Sequence, residues 1–475
     1  MTKLAQALLS LTLHLSTIMT SILDNLLASV WNRTVNAMRP GLKSGLDLGF
    51  LVVDGKKSRK HFFVPHIKRA EHIAIIGKSG SGKSSEVKSF IYQDIRSRRG
   101  FAAIDLHDDL IPFVLSAIRQ EELRSHEDLS HKTIIVDPSD AGNSVGLNVL
   151  EAEEGMNHFA KVAELVKLFE TRWDISLGPP TAELFRNSLH VLSDNQLTLA
   201  ELTPLLSNAT YRSACMKRVK NAEVREFFEE RFDRASDGMQ ATRRDPVLNK
   251  VSEFVTDIHF RHIVGQQKSS VSLVEAMDRG CFVLLRLSKG RLGPQALLLA
   301  SLFLAQMKSA IFRRKTRKLF TLYLDEVQNL VSDASGLEML LAEARKTAVG
   351  ICTANQFLDQ TPNVMRAALM AVSTHVYFQV SGSDAQQVST SLDGGKNLAE
   401  RLKNLPPRNC VVKTGHYPLR QVATQTLPKV DARYGDLVER CRRLWTRPRT
   451  EVEAAIQARK PKSDSLLKET LNDWE

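Results

Sequence analysis

The sequence predicts an α/β fold: a mostly parallel sheet with helices on both faces, interrupted by a block that is helical throughout. Three observations carry that prediction. A short apolar run, Ile73 to Ile76, leads into a glycine-rich loop and then into a helical pattern. Strand-like apolar runs alternate with helical stretches up to about residue 150 and again from about residue 263, the rhythm of a parallel sheet. Between Glu151 and His262 that alternation disappears, and apolar residues recur only at helical spacing.

Residues 1–40 stand apart. Leu4, Leu8, Leu11, Leu15, Ile18, Ile22 and Leu26 recur at helical spacing, with no charge between Lys3 and Asp24. His14, Gln6 and many Ser and Thr lower the hydrophobicity, so an amphipathic helix against a partner or membrane surface is the first reading. A single membrane span is the alternative. A cleaved signal peptide does not fit, because no disulfide-rich secreted chain follows.

Residues 41–150 read as the first part of the core. Arg39-Pro40-Gly41 ends the leader, Leu46 to Val53 has a strand pattern, and Phe62-Phe-Val-Pro65 leads toward the loop. Gly77-Lys-Ser-Gly-Ser-Gly-Lys-Ser84 fits the phosphate-loop pattern G-x-x-x-x-G-K-[ST]. Glycines let backbone N–H groups turn inward around an anion, at the positive end of a helix. The predicted cradle is Gly77, Lys78, Ser79, Gly80, Ser81, Gly82, Lys83, Ser84 and Ser85. Lys83 is expected to reach the β and γ phosphates of a nucleotide, and the Ser84 hydroxyl to ligate Mg²⁺.

Phe101 to Asp105 is the next strand, followed by His107-Asp-Asp109 and a helix bearing Ile111, Val114, Leu115 and Ile118. Thr133 to Asp137 is a further strand. Asp105 and Asp137 end their strands on the carboxyl side, where open α/β sheets bind ligands. His107, Asp108 and Asp109 read as loop polar groups, since no second cluster completes a metal shell.

Residues 151–262 are read as the all-helical insertion, with internal breaks at Gly178-Pro-Pro180 and Asp245-Pro246. Residues 263–430 resume the core with strands at Cys281 to Leu287, Leu319 to Asp325, Val349 to Gln356, Thr374 to Ser381 and Cys410 to Lys413. Gln295 to Phe312 is a very apolar helix and is expected to be buried. Residues 431–475 form a basic, then helical tail, with Trp445 and Trp474 as candidate docking residues.

Composition narrows the class. The formal charge of +12 is concentrated in Lys56 to Lys60, Arg313 to Lys318 and Arg440 to Arg449, clusters that suit a polyanion or an anionic membrane, or simply solvated helix faces. The five cysteines contain no C-x-x-C pair, which argues for a reducing compartment and against a zinc or disulfide framework.

Asp325-Glu326 completes the chemistry that the loop begins. An aspartate ending an apolar strand can hold Mg²⁺ with Ser84, and Glu326 can deprotonate an attacking water. Gln356 ends the next strand, which is expected to lie beside the Asp325 strand. It is either a sensor of the γ-phosphate or a strand-capping amide. Arg345 reads either as a cation stabilising the transferring phosphoryl group, in cis or from a neighbouring subunit, or as a surface ion pair.

Over about residues 41–430 the motifs resemble the HerA/FtsK superfamily of ring-forming motor ATPases, above all conjugative (type IV secretion) coupling proteins. The resemblance rests on His72 to Ser84, Ile104-Asp-Leu-His-Asp-Asp-Leu110, Val136-Asp-Pro with Gly146-Leu-Asn-Val-Leu150, and Leu287-Ser-Lys-Gly-Arg-Leu-Gly293. Leu322-Tyr-Leu-Asp-Glu-Val-Gln328, Glu343-Ala-Arg-Lys346, Ala354-Asn-Gln356 and Val376 to Ala385 extend it. It implies a RecA-like core with an all-α insertion, a homo-hexamer, and ATP-driven movement of DNA. Asp325 and Glu326 carry over as the Walker B pair and Gln356 as the sensor. Implied partners are DNA, contacted through its backbone, and a relaxase or secretion-channel components. The implied place is the cytoplasm, peripheral to or singly anchored in the inner membrane. Alternatives are a HerA-like motor paired with a nuclease, a secretion or pilus ATPase acting on protein, and a non-enzymatic ATP-dependent scaffold. Asp105-Leu-His-Asp-Asp-Leu110 departs from the family's usual Asp-Pro-His-Gly-Asp-Leu.

Overall fold

The computed structural model describes residues 45–152, 158–172, 178–293, 295–330, 336–356 and 361–461. The helix expected in residues 1–40 and the docking role expected of Trp474 lie outside the described residues.

An eleven-stranded sheet organises the chain, in the order β2-β1-β12-β11-β10-β3-β9-β8-β4-β7-β5. Its parallel part comprises β3 (Ile73–Ile76), β4 (Phe101–Asp105), β5 (Thr133–Val136), β7 (Phe282–Arg286), β8 (Phe320–Asp325), β9 (Val349–Asn355) and β10 (Thr374–Tyr377). These strands are short and almost wholly buried. Both faces are covered, so they read as unbroken apolar runs rather than as alternation.

Four antiparallel strands extend the sheet: β1 (Gly45–Val53), β2 (Lys56–Pro65), β11 (Asn409–Thr414) and β12 (Arg420–Ala423). The β1–β2 hairpin turns at Asp54-Gly55, both at positive φ (50° and 73°), as a two-residue hairpin turn demands. β2 is one of the sheet's two edge strands, and Lys56, Lys57, Arg59 and Lys60 on it are exposed.

Helices α1 (Lys83–Ser97) and α2 (Leu110–Ser125) bury Val87, Phe90, Ile91, Ile111, Val114 and Ile118 against one face of the sheet. The opposite face packs on a long apolar helix, Gln295–Arg313, together with the helices between residues 158 and 264. Among the described residues, Gln295–Arg313 is the one helix long and apolar enough to cross a bilayer, but its window is 72% buried inside the protein. It is a core helix.

The stretch between β6 (Asn143–Ser144) and β7 has no strand among its described residues. Gly178 caps a helix that begins at Pro179, as a helix-initiating proline should. Pro246, by contrast, does not break the chain: the helix Asp237–Thr256 runs through it. Its lost N–H bond is outweighed by packing of Val247, Val251 and Phe254, each 1% exposed.

The tail is part of the fold. Helix Gly435–Trp445 packs on β5, and Trp445 Nε1 donates to the Ser130 carbonyl at 3.1 Å. β13 (Arg447–Pro448) then pairs with β6. Arg449 donates to the carbonyls of Asp140 (2.6 Å), Pro138 (2.7 Å) and Ile258 (3.0 Å), joining the loop after β5 to the helical region. All five cysteines are buried and unpaired.

Candidate active site

The phosphate loop follows β3 and is held from both sides. Gly77 N–H donates to the Asn355 carbonyl (3.2 Å) at the end of β9, and Lys78 N–H to the Gln379 carbonyl (2.7 Å) beyond β10. Ser81 closes the turn, donating from its N–H (3.3 Å) and its hydroxyl (2.7 Å) to the Lys78 carbonyl. Gly82 sits at φ +120°, and a Cβ on Gly77 would lie 2.6 Å from the Phe378 Cβ. Both positions therefore require glycine. Gly80, at φ +77°, faces open space, while Ser79 is exposed and Ser85 half-buried on the first turn of α1.

Lys83 folds back over this loop and donates from Nζ to the Lys78 carbonyl at 2.9 Å. Burial lowers its pKa, and the nearby carboxylates of Asp325 and Glu326 oppose that shift. Burial likewise raises the Asp325 carboxyl pKa, against the pull of hydrogen bonds from the Ser84 hydroxyl and the Glu326 N–H. Ser84 and Asp325 thus face each other across α1 and β8. β9 lies between β3 and β8, so the strand before the phosphate loop, the strand that leads to Gln356 and the strand that ends in Asp325 are consecutive.

Glu326 turns out of β8 in a left-handed conformation (φ 51°, ψ 52°). Both of its oxygens are engaged: Gln356 Nε2 donates to Oε1 at 2.9 Å, and His107 Nε2 lies 2.7 Å from Oε2. Two hard oxygen ligands at a helix N-terminus, with a lysine beside them, fit a magnesium–triphosphate. Among the described residues there is no group of three His, Cys, Asp or Glu that could hold a metal. Such an ion would therefore take its remaining ligands from phosphate and water.

The loop after β4 is more than a polar connector. Asp105 is not available to a ligand: Oδ1 accepts from the N–H groups of His107 (3.0 Å) and Asp108 (2.9 Å), and Oδ2 from those of Leu110 (2.9 Å) and Ile111 (2.8 Å). Asp137 is similarly tied to Ser139 and Arg286. Asp108, where the resembling family has glycine, keeps a glycine-like φ of 65° and turns its carboxylate to Arg286 Nε at 2.5 Å. Asp109 pairs with Lys88 at 3.0 Å. His107, read from sequence as a loop polar group, reaches Glu326. The one signal for it was its place in a strand-end motif, and the departure from that motif obscured it.

Arg345 does not join this cluster. It lies in a 3-10 turn (Ala344–Thr347) just before β9 and lines a cavity with Glu71, His72 and Ser373, which precede β3 and β10. That is the amino edge of the parallel sheet, opposite the phosphate loop, so the cis version of its catalytic role is corrected. The 3-10 turn before β9 places the side chain one strand length from the phosphate loop.

The arrangement defines a RecA-like P-loop fold with a helical insertion. No protein-family model matches the chain, and no curated protein sequence matches it. Solved structures do. A bacterial conjugative coupling protein, TrwB lacking its first 70 residues, is similar over 81% of this chain and 91% of its own (17% identity, TM-score 0.54). TrwB in complex with a non-hydrolysable ATP analogue covers 81% of this chain and 95% of its own (16% identity, TM-score 0.57). VirB4 of Thermoanaerobacter pseudethanolicus covers 81% and 97% (13% identity, TM-score 0.52).

Proposed function

We propose that the chain hydrolyses ATP and uses the energy to move DNA, as a ring-forming motor of the conjugative, type IV secretion kind. The observation that carries this reading is the convergence of Glu326 and Asp325 on the loop holding Lys83 and Ser84. Support also comes from fold similarity to the plasmid coupling protein TrwB, which has been solved with an ATP analogue and with ADP and Mg²⁺.

In this mechanism the loop N–H groups and Lys83 hold the β and γ phosphates, and Ser84 and Asp325 are the residues that would hold Mg²⁺. Bound magnesium would supply positive charge that neutralises the negative charge developing on the phosphates. Glu326 takes a proton from water as the water oxygen bonds to the γ-phosphorus. The bond to the bridging oxygen breaks, leaving ADP and phosphate. Gln356, beside Glu326, contacts the γ-phosphate or the water. Arg345, on the opposite edge of the sheet, acts on the site of a neighbouring subunit in a homo-hexamer. DNA is bound through its backbone, and residues 1–40 bring the ring to a membrane surface where secretion components or a relaxase would meet it.

ATP turnover measured with single- and double-stranded DNA, alongside DNA binding at rising salt, tests this. The motor should be stimulated by DNA, and its affinity should fall steeply with salt and depend little on sequence. Turnover indifferent to DNA, with a flat salt response, would reject DNA as the cargo and leave an ATPase acting on protein.

A further inference from the structure

We propose that His107 is a positioning residue for hydrolysis, holding one oxygen of Glu326 so that the other faces the attacking water. The proposal rests on the reading of Glu326 as the base. Glu326 is attached by a flexible side chain to a left-handed residue at the very end of β8, and its side chain is 23% exposed. Nothing in its own backbone fixes the carboxylate. His107 Nε2 and Glu326 Oε2 lie 2.7 Å apart, within hydrogen-bond distance, and in the tautomer that carries its hydrogen on Nε2 the imidazole is the donor of this pair.

The loop that carries the donor is fixed, while the His107 side chain itself is 49% exposed. Four N–H bonds to Asp105 fold the loop, the Asp108–Arg286 pair fixes one flank, and Lys88–Asp109 the other. The loop presents His107 from β4, the neighbour of β8 on the side away from β9. Gln356 reaches the same carboxylate from β9. The two contacts differ in kind. Gln356 is the candidate γ-phosphate contact, so a nucleotide that engages its amide loosens its hold on Oε1. His107 keeps Oε2, and the carboxylate stays aimed when water arrives. A general base misplaced by about an ångström loses on the order of a hundredfold in rate.

The test uses the full-length chain, with steady-state ATP hydrolysis measured beside equilibrium binding of a fluorescent ATP analogue. His107→Ala should lower kcat about tenfold or more while the Kd for the analogue changes less than about twofold. His107→Gln, whose amide can donate at a similar reach, should recover a large part of kcat. In a Glu326→Gln background, His107→Ala should add nothing. Wild-type kcat in His107→Ala, or a loss of kcat matched by lost nucleotide binding, would overturn the proposal. If Glu326→Gln itself turned over at the wild-type rate, the assignment of the base would fall first and this role with it.

Discussion

Arg69 and Asp94 form a fully buried ion pair, with parallel N–H···O bonds of 2.7 and 2.6 Å and both side chains 0% exposed. Burial alone would lower the Arg69 pKa, but the adjacent Asp94 outweighs it and raises the value. Arg69 also donates to Thr321 and Tyr323, and Tyr323 donates back to Asp94 at 2.7 Å. The network thus bolts α1, which carries Lys83 and Ser84, to β8, which carries Asp325.

Asp94→Ala should therefore destabilise the protein by about 3–5 kcal/mol, because it strands a buried guanidinium. The double variant Arg69→Met/Asp94→Ala should recover part of that loss. Urea denaturation of the three proteins is the measurement, and a double variant less stable than Asp94→Ala would contradict it.

Binding and turnover should separate between two positions. Glu326→Gln should bind nucleotide normally and lose roughly 100-fold or more in ATP turnover, the usual contribution of a general base. Ser84→Ala should instead weaken magnesium-dependent nucleotide binding. Calorimetric titration with and without Mg²⁺ distinguishes them, and equal Mg²⁺ dependence in wild type and Ser84→Ala would count against the metal role.

Acid should unfold the protein through its buried histidines. His72 and His375 are 2% and 6% exposed, and burial lowers each to about 4 from 6.5. The unfolded chain binds protons more readily, so this stability is complete above about pH 6.5 and is lost as pH falls toward 4. His375→Gln should flatten the fall in Tm over that window.

Glu86 should show the opposite pH dependence. It is 2% exposed, its Oε1 has no hydrogen-bond partner, and burial, reinforced by Asp47, raises its pKa well above 4.5. A raised carboxyl stabilises the fold only while protonated, so its contribution fades as pH climbs past 4.5. Glu86→Gln should accordingly raise Tm more at pH 8 than at pH 5.

Much of the site could be read from residue order alone. The phosphate loop, Asp325-Glu326 and Gln356 sit at strand ends, and buried parallel strands announce themselves as apolar runs. Other features depend on context that spacing does not carry. Asp54-Gly55 is a strong hairpin signal, yet β2 was missed because Lys56 to Lys60 hides its pattern behind exposed charge. Pro246 signalled a break that tertiary packing overrode. Arg345 lies close to Gln356 in sequence but on the opposite edge of the sheet, since one parallel strand separates the two. His107 meets Glu326 only because β4 and β8 are neighbours, a pairing between segments more than two hundred residues apart.

The cations on β2 have a consequence beyond the single molecule. An outermost strand leaves a row of amide and carbonyl groups unmatched, a template on which another copy could lengthen the sheet. With Lys56, Lys57, Arg59 and Lys60 exposed there, two copies laid side by side would press like charges together. Fibre-like growth along that border is thereby discouraged, most strongly in dilute electrolyte, where the repulsion reaches furthest.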